Sequence, residues 1–212
     1  MKILFVLEYF YPYHGGAEKL FYQLTKELCK TGNEVTVLTA DYDNLPNEET
    51  IDSIKIKRLK AHNRFQFSFL GITKAIALAK DFDLIHSTTY NAALPAWIAS
   101  KVRSKPIVLT VHEYWNELWW QLPFLNPVQR LAFWSFEQFV LSLNYNQVVA
   151  VSDYTRQRLP ERISEKSRNT IYNGQPVMQS NYSQGRGDFY LFVGRLGVSK
   201  GIDTLVEAIN LA

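Results

Sequence analysis

The feature that most constrains the fold is an alternation, repeated along the chain, of short apolar runs with segments whose apolar residues recur at helical spacing. Residues 3–7 form a continuous apolar run, which is typical of a parallel strand covered on both faces. After Gly15 and Gly16 a helical stripe extends to Leu28, and Gly32 predicts a left-handed end to that helix. Repeats of this unit predict an α/β fold, a mostly parallel sheet with helices on both faces.

The remaining elements are predicted from the same two periods. Further strands are predicted at 35–39, 54–59, 83–86, 107–111, 148–151 and 170–172, and helices at 65–79, 92–102, 128–143 and 153–159. The alternating isoleucine and lysine of 54–59 suit an exposed or edge strand, and 41–53 is interpreted as a polar loop. The stripe of helix 128–143 expected to face the core consists of Val128, Leu131, Ala132, Phe136, Phe139, Val140 and Leu143. Trp134 and Leu141 are expected on another, exposed face.

The composition changes at Pro176. The segment 176–188 has three apolar residues and two glycines, which indicates a linker. A new strand at 189–193 and a helical stripe from Ile202 to Ile209 form one β–α unit, which is too short to close a core alone. We therefore expect one complete domain over 1–175, a linker over 176–188, and a truncated second domain over 189–212.

Charge and cysteine content exclude several classes of protein. The formal net charge of +3 is too small to indicate a nucleic-acid partner. The single cysteine, Cys29, excludes an internal disulfide framework and a four-cysteine zinc site, and we expect no bound metal. The first apolar run is shorter than a secretory signal of ~7–15 apolar residues, and no stretch approaches the ~20 residues of a membrane-spanning helix. A cytoplasmic location is expected.

Candidate binding residues follow the predicted strands, because ligands of parallel sheets bind at the carboxyl ends of the strands. Gly15 and Gly16 precede a helix, where backbone N–H groups can approach an anion; a plain tight turn is the alternative. His112 follows one strand and His86 ends the strand before it. Either imidazole could bond a substrate hydroxyl, and either could be a structural histidine bonded to its surroundings.

Two cations stand beside glycines near the end of the chain. Arg195 follows Gly194, and Lys200 precedes Gly201 at the start of a predicted helix. A guanidinium and an ammonium beside a helix N-terminus suit a diphosphate, and two solvated charges are the alternative. The sequence has no G-x-G-x-x-G or P-loop lysine motif, which disfavours a dinucleotide dehydrogenase or an NTPase.

These motifs occur in an order that resembles one known family. The series is Pro12 with Gly15-Gly16-Ala17-Glu18, Thr110-Val111-His112, Val151-Ser152, Ile171-Tyr172-Asn173-Gly174 and GRL-x-x-x-KG at 194–201. It resembles the group 1 retaining glycosyltransferases of family 4, which have the GT-B fold. The resemblance implies a Rossmann-like N-terminal half of a GT-B protein followed by the start of a second Rossmann-like domain.

The resemblance also implies an activity, the transfer of a hexose from a nucleotide sugar to a glycan or lipid-linked acceptor with retention. In the family the acceptor sits mainly against the first domain and the donor mainly against the second, and no cofactor is needed beyond the donor itself. By this resemblance His112 would bond the donor sugar, while Arg195 and Lys200 would neutralise the leaving diphosphate. The further substrate-binding candidates are Gly15, Gly16, Glu18, His86, Ser152, Asn173 and Gly174.

The sequence departs from the family in two respects. Members carry two glutamates eight positions apart late in the second domain, and no such pair occurs here. Gln175 stands where the family commonly has valine. The chain alone is therefore expected to be an incompetent portion of the enzyme. The alternatives are a GT-B-type sugar-nucleotide epimerase and a non-catalytic acceptor-binding module.

An aromatic-rich segment, residues 115–139, suits either a lipid interface or an ordinary core. The basic residues that could assist on anionic lipid are Lys55, Lys57, Arg58 and Lys60, for which a solvated edge strand is the alternative. Peripheral attachment at the inner face of a membrane is accordingly one expectation.

Overall fold

The first structural unit is organised by one sheet. The computed structural model describes residues 1–174, 191–194 and 200–210, and the chain divides into two units, Met1–Gln175 and Pro176–Ala212. The strands of the described residues are β1 (Lys2–Val6), β2 (Glu34–Asp41), β3 (Glu48–Ile51), β4 (Ile54–Lys60), β5 (Leu84–Thr88), β6 (Ile107–Val111), β7 (Gln147–Ala150) and β8 (Arg168–Thr170). They form an eight-stranded sheet of order β3-β4-β2-β1-β5-β6-β7-β8 within those residues.

The pairing is parallel throughout except between β3 and β4. The helices of the described residues are α1 (Gly16–Lys30), α2 (Arg64–Ala79), α3 (Ala93–Arg103), α4 (Pro127–Ser142), α5 (Asp153–Arg158) and α6 (Ile202–Asn210). Short 3-10 helices span Asn116–Gln121 and Glu165–Ser167. The predicted α/β class with a mostly parallel sheet is confirmed.

Capping side chains begin the helices near the predicted positions. The Asn63 side chain accepts from the Gln66 backbone N–H at the start of α2 (2.9 Å). Asn126 and Gln129 form a reciprocal capping box ahead of α4. At the end of α1, Gly32 has φ +84°, so the predicted left-handed glycine is confirmed.

Hydrophobic cores lie on both faces of the sheet, because successive strand residues point to opposite sides. Leu4 and Val6 of β1 join the core that α2, α3 and α4 cover. Ile3 and Phe5 join the second core, which α1 covers with Phe21. The prediction of helices on both faces is confirmed, and α1 therefore shares its face of the sheet with Phe5.

The interpretation of 54–59 as an edge strand is wrong. β4 lies between β2 and β3, and Ile54 and Ile56 are buried. The edge is formed by β3, which lies inside the segment expected to be a loop. A polar segment can form a strand here because it pairs antiparallel with β4 at the edge of the sheet, where two of its four residues are exposed.

The prediction for the buried face of α4 is also wrong in part. Val128, Leu131 and Phe139 are exposed, whereas Val140 and Leu141 are buried. The burial of Leu141 contradicts the prediction of an exposed face there. The helix is rotated from the expected orientation because the carboxylate of Glu137 is turned inward, where three hydrogen-bond donors meet it.

The second unit contains α6 among its described residues. Gly201, with φ +68°, precedes this helix, so the predicted helix after Lys200 is confirmed. Leu191–Val193, the described part of the predicted strand 189–193, is not in a strand. The predicted linker 176–188 lies outside the described residues.

Candidate functional site

The strand order brings six of the predicted positions to one edge of the sheet. β1, β5, β6, β7 and β8 are consecutive neighbours and run parallel. The segments that follow their carboxyl ends carry Gly15 and Gly16 after β1, His112 after β6, Ser152 after β7, and Asn173 and Gly174 after β8. This edge is where α/β sheets bind ligands.

Phe21 of α1 connects the two histidines. Its ring lies edge-on to the imidazoles of His86 and His112, with centroid distances of 5.8 and 5.5 Å. The first turns of α1 therefore lie beside the carboxyl-terminal halves of β5 and β6. The start of α1, which begins within the diglycine, therefore lies next to both histidines on one face of the sheet.

His112 has a ring nitrogen without a partner. Its Nε2 atom is buried and forms no hydrogen bond with any described residue. Burial lowers the pKa of His112 from its ordinary value, so the imidazole is neutral at neutral pH. A neutral imidazole can accept or donate one hydrogen bond at this atom, which is the chemistry needed to bind a sugar hydroxyl.

His86 is placed differently from expected. It is the third of five residues in β5 rather than the residue that ends the strand. Its Nε2 atom is 2.8 Å from the hydroxyl oxygen of Thr110, and its ring stacks on Phe5. Burial, with the nearby His112, lowers the pKa of His86 to about 4. These contacts are those of a structural histidine, and its role as a substrate ligand stays a prediction.

The two glycines differ in their surroundings. A Cβ atom on Gly15 would lie 2.8 Å from Cδ of Glu18, whose carboxylate folds back over the start of α1. A Cβ atom on Gly16 would meet nothing within 4 Å. The Glu18 carboxylate complements the helix dipole, and it would repel a diphosphate that approached Gly15. The open approach is therefore at Gly16.

Ser152 caps a helix. Its hydroxyl oxygen accepts from the Thr155 backbone N–H at the start of α5 (3.1 Å). Asn173 and Gly174 are exposed beyond β8, and a Cβ atom on Gly174 would meet nothing within 4 Å. Contact between these three residues and a substrate stays a prediction.

The predicted cationic pair is described only at Lys200. That side chain belongs to the second unit and is exposed. Arg195 lies outside the described residues. The pairing of the two cations around a diphosphate therefore stays a prediction.

A buried ionic cluster at the same edge was missed by the sequence analysis. Glu8 follows Leu7, just after the end of β1, and its carboxylate accepts from Arg64 Nε and Nη2 (3.1 and 3.3 Å) and from Asn91 Nδ2 (3.0 Å). Glu8 is buried, whereas about half of the Arg64 side chain is exposed. The signal that could have located it is a polar residue at the end of a buried apolar run, the same signal that located His112.

Three tyrosines stand next to this cluster. Tyr9 contacts Tyr13 and Tyr42, with ring centroids 5.3 and 5.2 Å apart. The hydroxyl of Tyr42 is buried without a partner among the described residues. Burial and the neighbouring Glu8 raise the pKa of Tyr42 above its ordinary value, so the phenol stays protonated. The cluster combines aromatic faces with a carboxylate and a guanidinium.

Arg58 holds the loops that carry these groups. Its guanidinium donates to the backbone oxygens of Tyr11 (2.9 Å) and Pro46 (3.0 Å) and pairs with Glu49. The side chain of Arg58 is fully buried. It therefore fixes the loop after β1 against the loop after β2, and with them the relative positions of the tyrosines.

The aromatic segment packs partly inward. Trp119 contacts Trp115 and Phe133, at 5.2 and 5.3 Å between ring centroids, whereas Trp120 and Phe124 are exposed. Within the described part of the chain, no helix is both long and apolar enough to cross a bilayer. Across the same residues, no three acidic, histidine or cysteine side chains are grouped as a metal site would require.

The fold of the chain is shared with solved glycosyltransferase structures. HepE from Anabaena, crystallised with UDP and glucose, matches 82% of this chain and 45% of its own, with a TM-score of 0.57 and 19% identity. Sucrose-phosphate synthase from Thermosynechococcus elongatus matches 81% of this chain and 47% of its own, with a TM-score of 0.59 and 17% identity. At these identities the likeness concerns the fold, which is that of GT-B proteins.

Sequence comparison gives a relative and a family. An uncharacterized glycosyltransferase of Methanocaldococcus jannaschii is 28% identical over 217 residues, covering 99% of this chain. The chain spans 57% of the length of that relative. Residues 14–176 match the family model described as Glycosyltransferase Family 4. This match spans most of the chain, including the diglycine, both histidines of the site edge and Ser152, and the chain therefore belongs to Glycosyltransferase Family 4.

Proposed function

We propose that this chain forms part of a retaining glycosyltransferase that moves a hexose from a nucleoside diphosphate sugar to a glycan or lipid-linked acceptor. The observation that carries the proposal is His112, whose buried Nε2 atom has no partner among the described residues at the ligand-binding edge. Family membership supports the reaction class. The fold shared with a protein crystallised with UDP and glucose supports the donor class.

The proposed role of His112 is to hold the donor sugar near the reacting carbon. Its lowered pKa keeps the ring neutral, so that it bonds a hydroxyl without adding positive charge next to the developing oxocarbenium ion. Arg195 and Lys200 would supply positive charge at the opposite end of the breaking bond, on the diphosphate. Gly16 leaves the backbone N–H groups of the α1 N-terminus open to a donor or acceptor oxygen.

The proposed acceptor contacts are Glu8, Arg64 and the three tyrosines. A carboxylate and a guanidinium together can accept from and donate to neighbouring sugar hydroxyls. Tyrosine rings offer apolar faces for the C–H side of a sugar ring. Glu8, Tyr9 and Tyr13 follow β1 and Tyr42 follows β2, whereas Arg64 begins α2 and reaches Glu8 through its side chain.

Binding of the donor is tested by NMR titration of the chain with UDP-, GDP- and ADP-hexoses. One of these is expected to shift the imidazole signals of His112 and the amide signal of Gly16, with smaller shifts at Ser152. The variant His112→Ala should reduce the response to the sugar nucleotide and leave the response to the free nucleoside diphosphate nearly unchanged. Unchanged His112 signals with every donor at saturating concentration would refute the proposed role.

The reaction is tested by product analysis of the full-length or reconstituted enzyme with the donor so identified. A glycosylated acceptor supports the proposal. An epimerised sugar nucleotide supports the epimerase instead. Acceptor binding with no turnover in the full enzyme supports the non-catalytic binding module. Arg195→Ala and Lys200→Ala should each lower turnover by roughly a hundredfold, as removal of an oxyanion donor does. Their effect on acceptor binding should be smaller, because the diphosphate charge grows only as the bond breaks.

A further inference from the structure

The imidazole of His112 depends on the backbone around it for its position. Its Nε2 atom has no hydrogen-bond partner among the described residues, and Phe21 lies edge-on to its ring. His86, by contrast, is held by a bond to Thr110 and by stacking on Phe5. The orientation of His112 is therefore set by the strand before it and by the loop after it.

The loop after His112, residues 113–116, is bonded to α4 through one carboxylate. The backbone N–H of Trp115 donates to Oε1 of Glu137 (2.9 Å), and the backbone N–H of Asn116 donates to Oε2 (2.7 Å). Each carboxylate oxygen holds one N–H group. Two consecutive residues of the loop are thus fixed in direction as well as in distance.

Neighbouring side chains of α4 hold the same loop. Trp134 and Gln138 lie one turn apart on the helix, on either side of Glu137 in the sequence. Both donate to the side-chain oxygen of Asn116, over 3.2 and 3.4 Å, and Gln138 Nε2 also lies 3.1 Å from the hydroxyl of Tyr114. The helix therefore contacts the loop through three polar side chains, of which Glu137 is the charged one.

Tyr90, which follows β5, completes the arrangement. Its hydroxyl donates to Oε1 of Glu137 (2.6 Å) and lies 3.1 Å from the backbone oxygen of Glu113. Burial and the Glu137 carboxylate raise the pKa of Tyr90 above its ordinary value, so the hydroxyl keeps the proton that it donates. Because Glu113 directly follows His112, these contacts begin at the residue next to the imidazole.

A charged side chain at this position is not explained by stability alone. Glu137 is fully buried, and an apolar side chain in place of a buried ion is often equally stabilising. What the carboxylate adds is geometry, since its two oxygens accept from donors at defined positions. Residues that bind a ligand need such support to hold one orientation.

We propose that Glu137 is a positioning residue for His112, because it holds loop 113–116 in the conformation that directs Nε2 of the imidazole towards the donor sugar. The inference rests on the proposed role of His112 and extends it to a buried residue that no substrate touches. Without the carboxylate, loop 113–116 moves and the imidazole moves with it. The diglycine segment, which follows another strand, keeps its place.

The test compares Glu137→Gln with Val140→Ala, a matched variant of the same helix. Both side chains are fully buried, and Val140 belongs to the hydrophobic core. Each substitution is expected to lower stability, so Val140→Ala controls for destabilisation alone. Circular dichroism and urea unfolding establish conditions in which both variants are folded.

The first measurement is the NMR spectrum of each free chain. In Glu137→Gln the imidazole signals of His112 and the amide signals of Trp115 and Asn116 should shift or broaden, whereas the amide signal of Gly16 should not. The second measurement is titration with the donor. Glu137→Gln should bind the sugar nucleotide roughly tenfold more weakly and the free nucleoside diphosphate within about twofold of the wild type.

Val140→Ala should match the wild type in the His112 signals and in both affinities. Unchanged sugar-nucleotide affinity in Glu137→Gln overturns the proposal, as do unchanged His112 signals in the free chain. An equal loss of affinity in Val140→Ala also overturns it, because lost stability would then explain the effect.

Two further outcomes separate this inference from the proposed function. Absence of donor binding by the wild type refutes the proposed function, and the His112 signals of the free chains then decide the role of Glu137. If Glu137→Gln does not fold, Tyr90→Phe takes its place, because it keeps the ring and both backbone donors. A shift of the His112 signals in that variant supports the proposal, and unchanged signals overturn it.

Discussion

At the scale of single residues, the two half-buried imidazoles of the site give the protein a dependence on pH. The pKa of His86 falls to about 4 in the folded chain, from 6.5 when solvated. Between these values the unfolded chain binds more protons than the folded one. The free energy of unfolding therefore falls as pH drops from 6.5 towards 4, by about 3 kcal/mol for His86.

The prediction is measured by urea unfolding of the wild type and of His86→Gln across this pH window. The variant cannot titrate at this position, so its unfolding free energy should depend less steeply on pH. Carboxylates contribute to both proteins alike, and the difference between the two slopes isolates the histidine. Parallel slopes would show that His86 is not protonated on unfolding.

The diglycine provides a matched pair of substitutions. Gly16→Ala should leave the fold intact or stabilise it by about 0.5–1 kcal/mol, because the site has space for a Cβ atom and alanine favours helix. It should nevertheless weaken donor or acceptor binding on the order of tenfold by covering the helix N-terminus. Gly15→Ala should displace the Glu18 carboxylate.

Both variants are measured by thermal unfolding and by the NMR titration of the wild type. Stability retained together with binding lost in Gly16→Ala would show that glycine is present there for the ligand. Full binding by Gly16→Ala would show that the diglycine serves only to form a tight turn.

At the scale of elements, Glu137 joins α4 to the loop after β6. It is fully buried and accepts from the Tyr90 hydroxyl (2.6 Å) and from the backbone N–H groups of Trp115 (2.9 Å) and Asn116 (2.7 Å). The two backbone donors bond different oxygens of the carboxylate. An amide has one acceptor atom and cannot serve both.

Glu137→Gln should therefore lower the free energy of unfolding by about 2–4 kcal/mol, since one backbone donor is left facing an NH₂ group. Tyr90→Phe removes a hydroxyl that donates to Glu137 Oε1 (2.6 Å) and lies 3.1 Å from the backbone oxygen of Glu113. This variant should cost about 1 kcal/mol, because both carboxylate oxygens keep a backbone donor. Urea unfolding followed by tryptophan fluorescence measures both. Equal losses in the two variants would contradict the role given to the carboxylate.

At the scale of the whole molecule, the two units differ in what stabilises them. The first unit has cores on both faces of its sheet. α6 of the second unit has nine residues and none of them is buried. An isolated helix shorter than ~12–15 residues is marginal in water.

Amide hydrogens of α6 are therefore expected to exchange far faster than those of β1 and β6, by at least roughly a hundredfold. Hydrogen exchange with mass spectrometry on the monomeric chain measures this. Protection of α6 equal to that of the central strands would show that it is packed in a stable core.

The local pattern of the sequence determined the α/β class, most element positions and the edge at which we expect ligands to bind. Apolar runs and helical stripes depend on neighbouring residues, and parallel strands necessarily end at a common edge. For this reason His112, Gly16 and Ser152 could be assigned to that edge from the sequence. The family motifs, spaced along the whole chain, could likewise be identified without coordinates.

The tertiary structure alone decided the rotation of α4, the pairing of β3 and the contacts within the site. Glu8 meets Arg64 and Asn91 across separations of 56 and 83 residues, and Glu137 meets Tyr90 across 47. No periodic pattern encodes such pairs, because a buried carboxylate takes whichever donors the packed helices and loops bring to it. The same packing turned Leu141 inward, left Phe139 exposed, and gave His86 a partner while leaving His112 without one among the described residues.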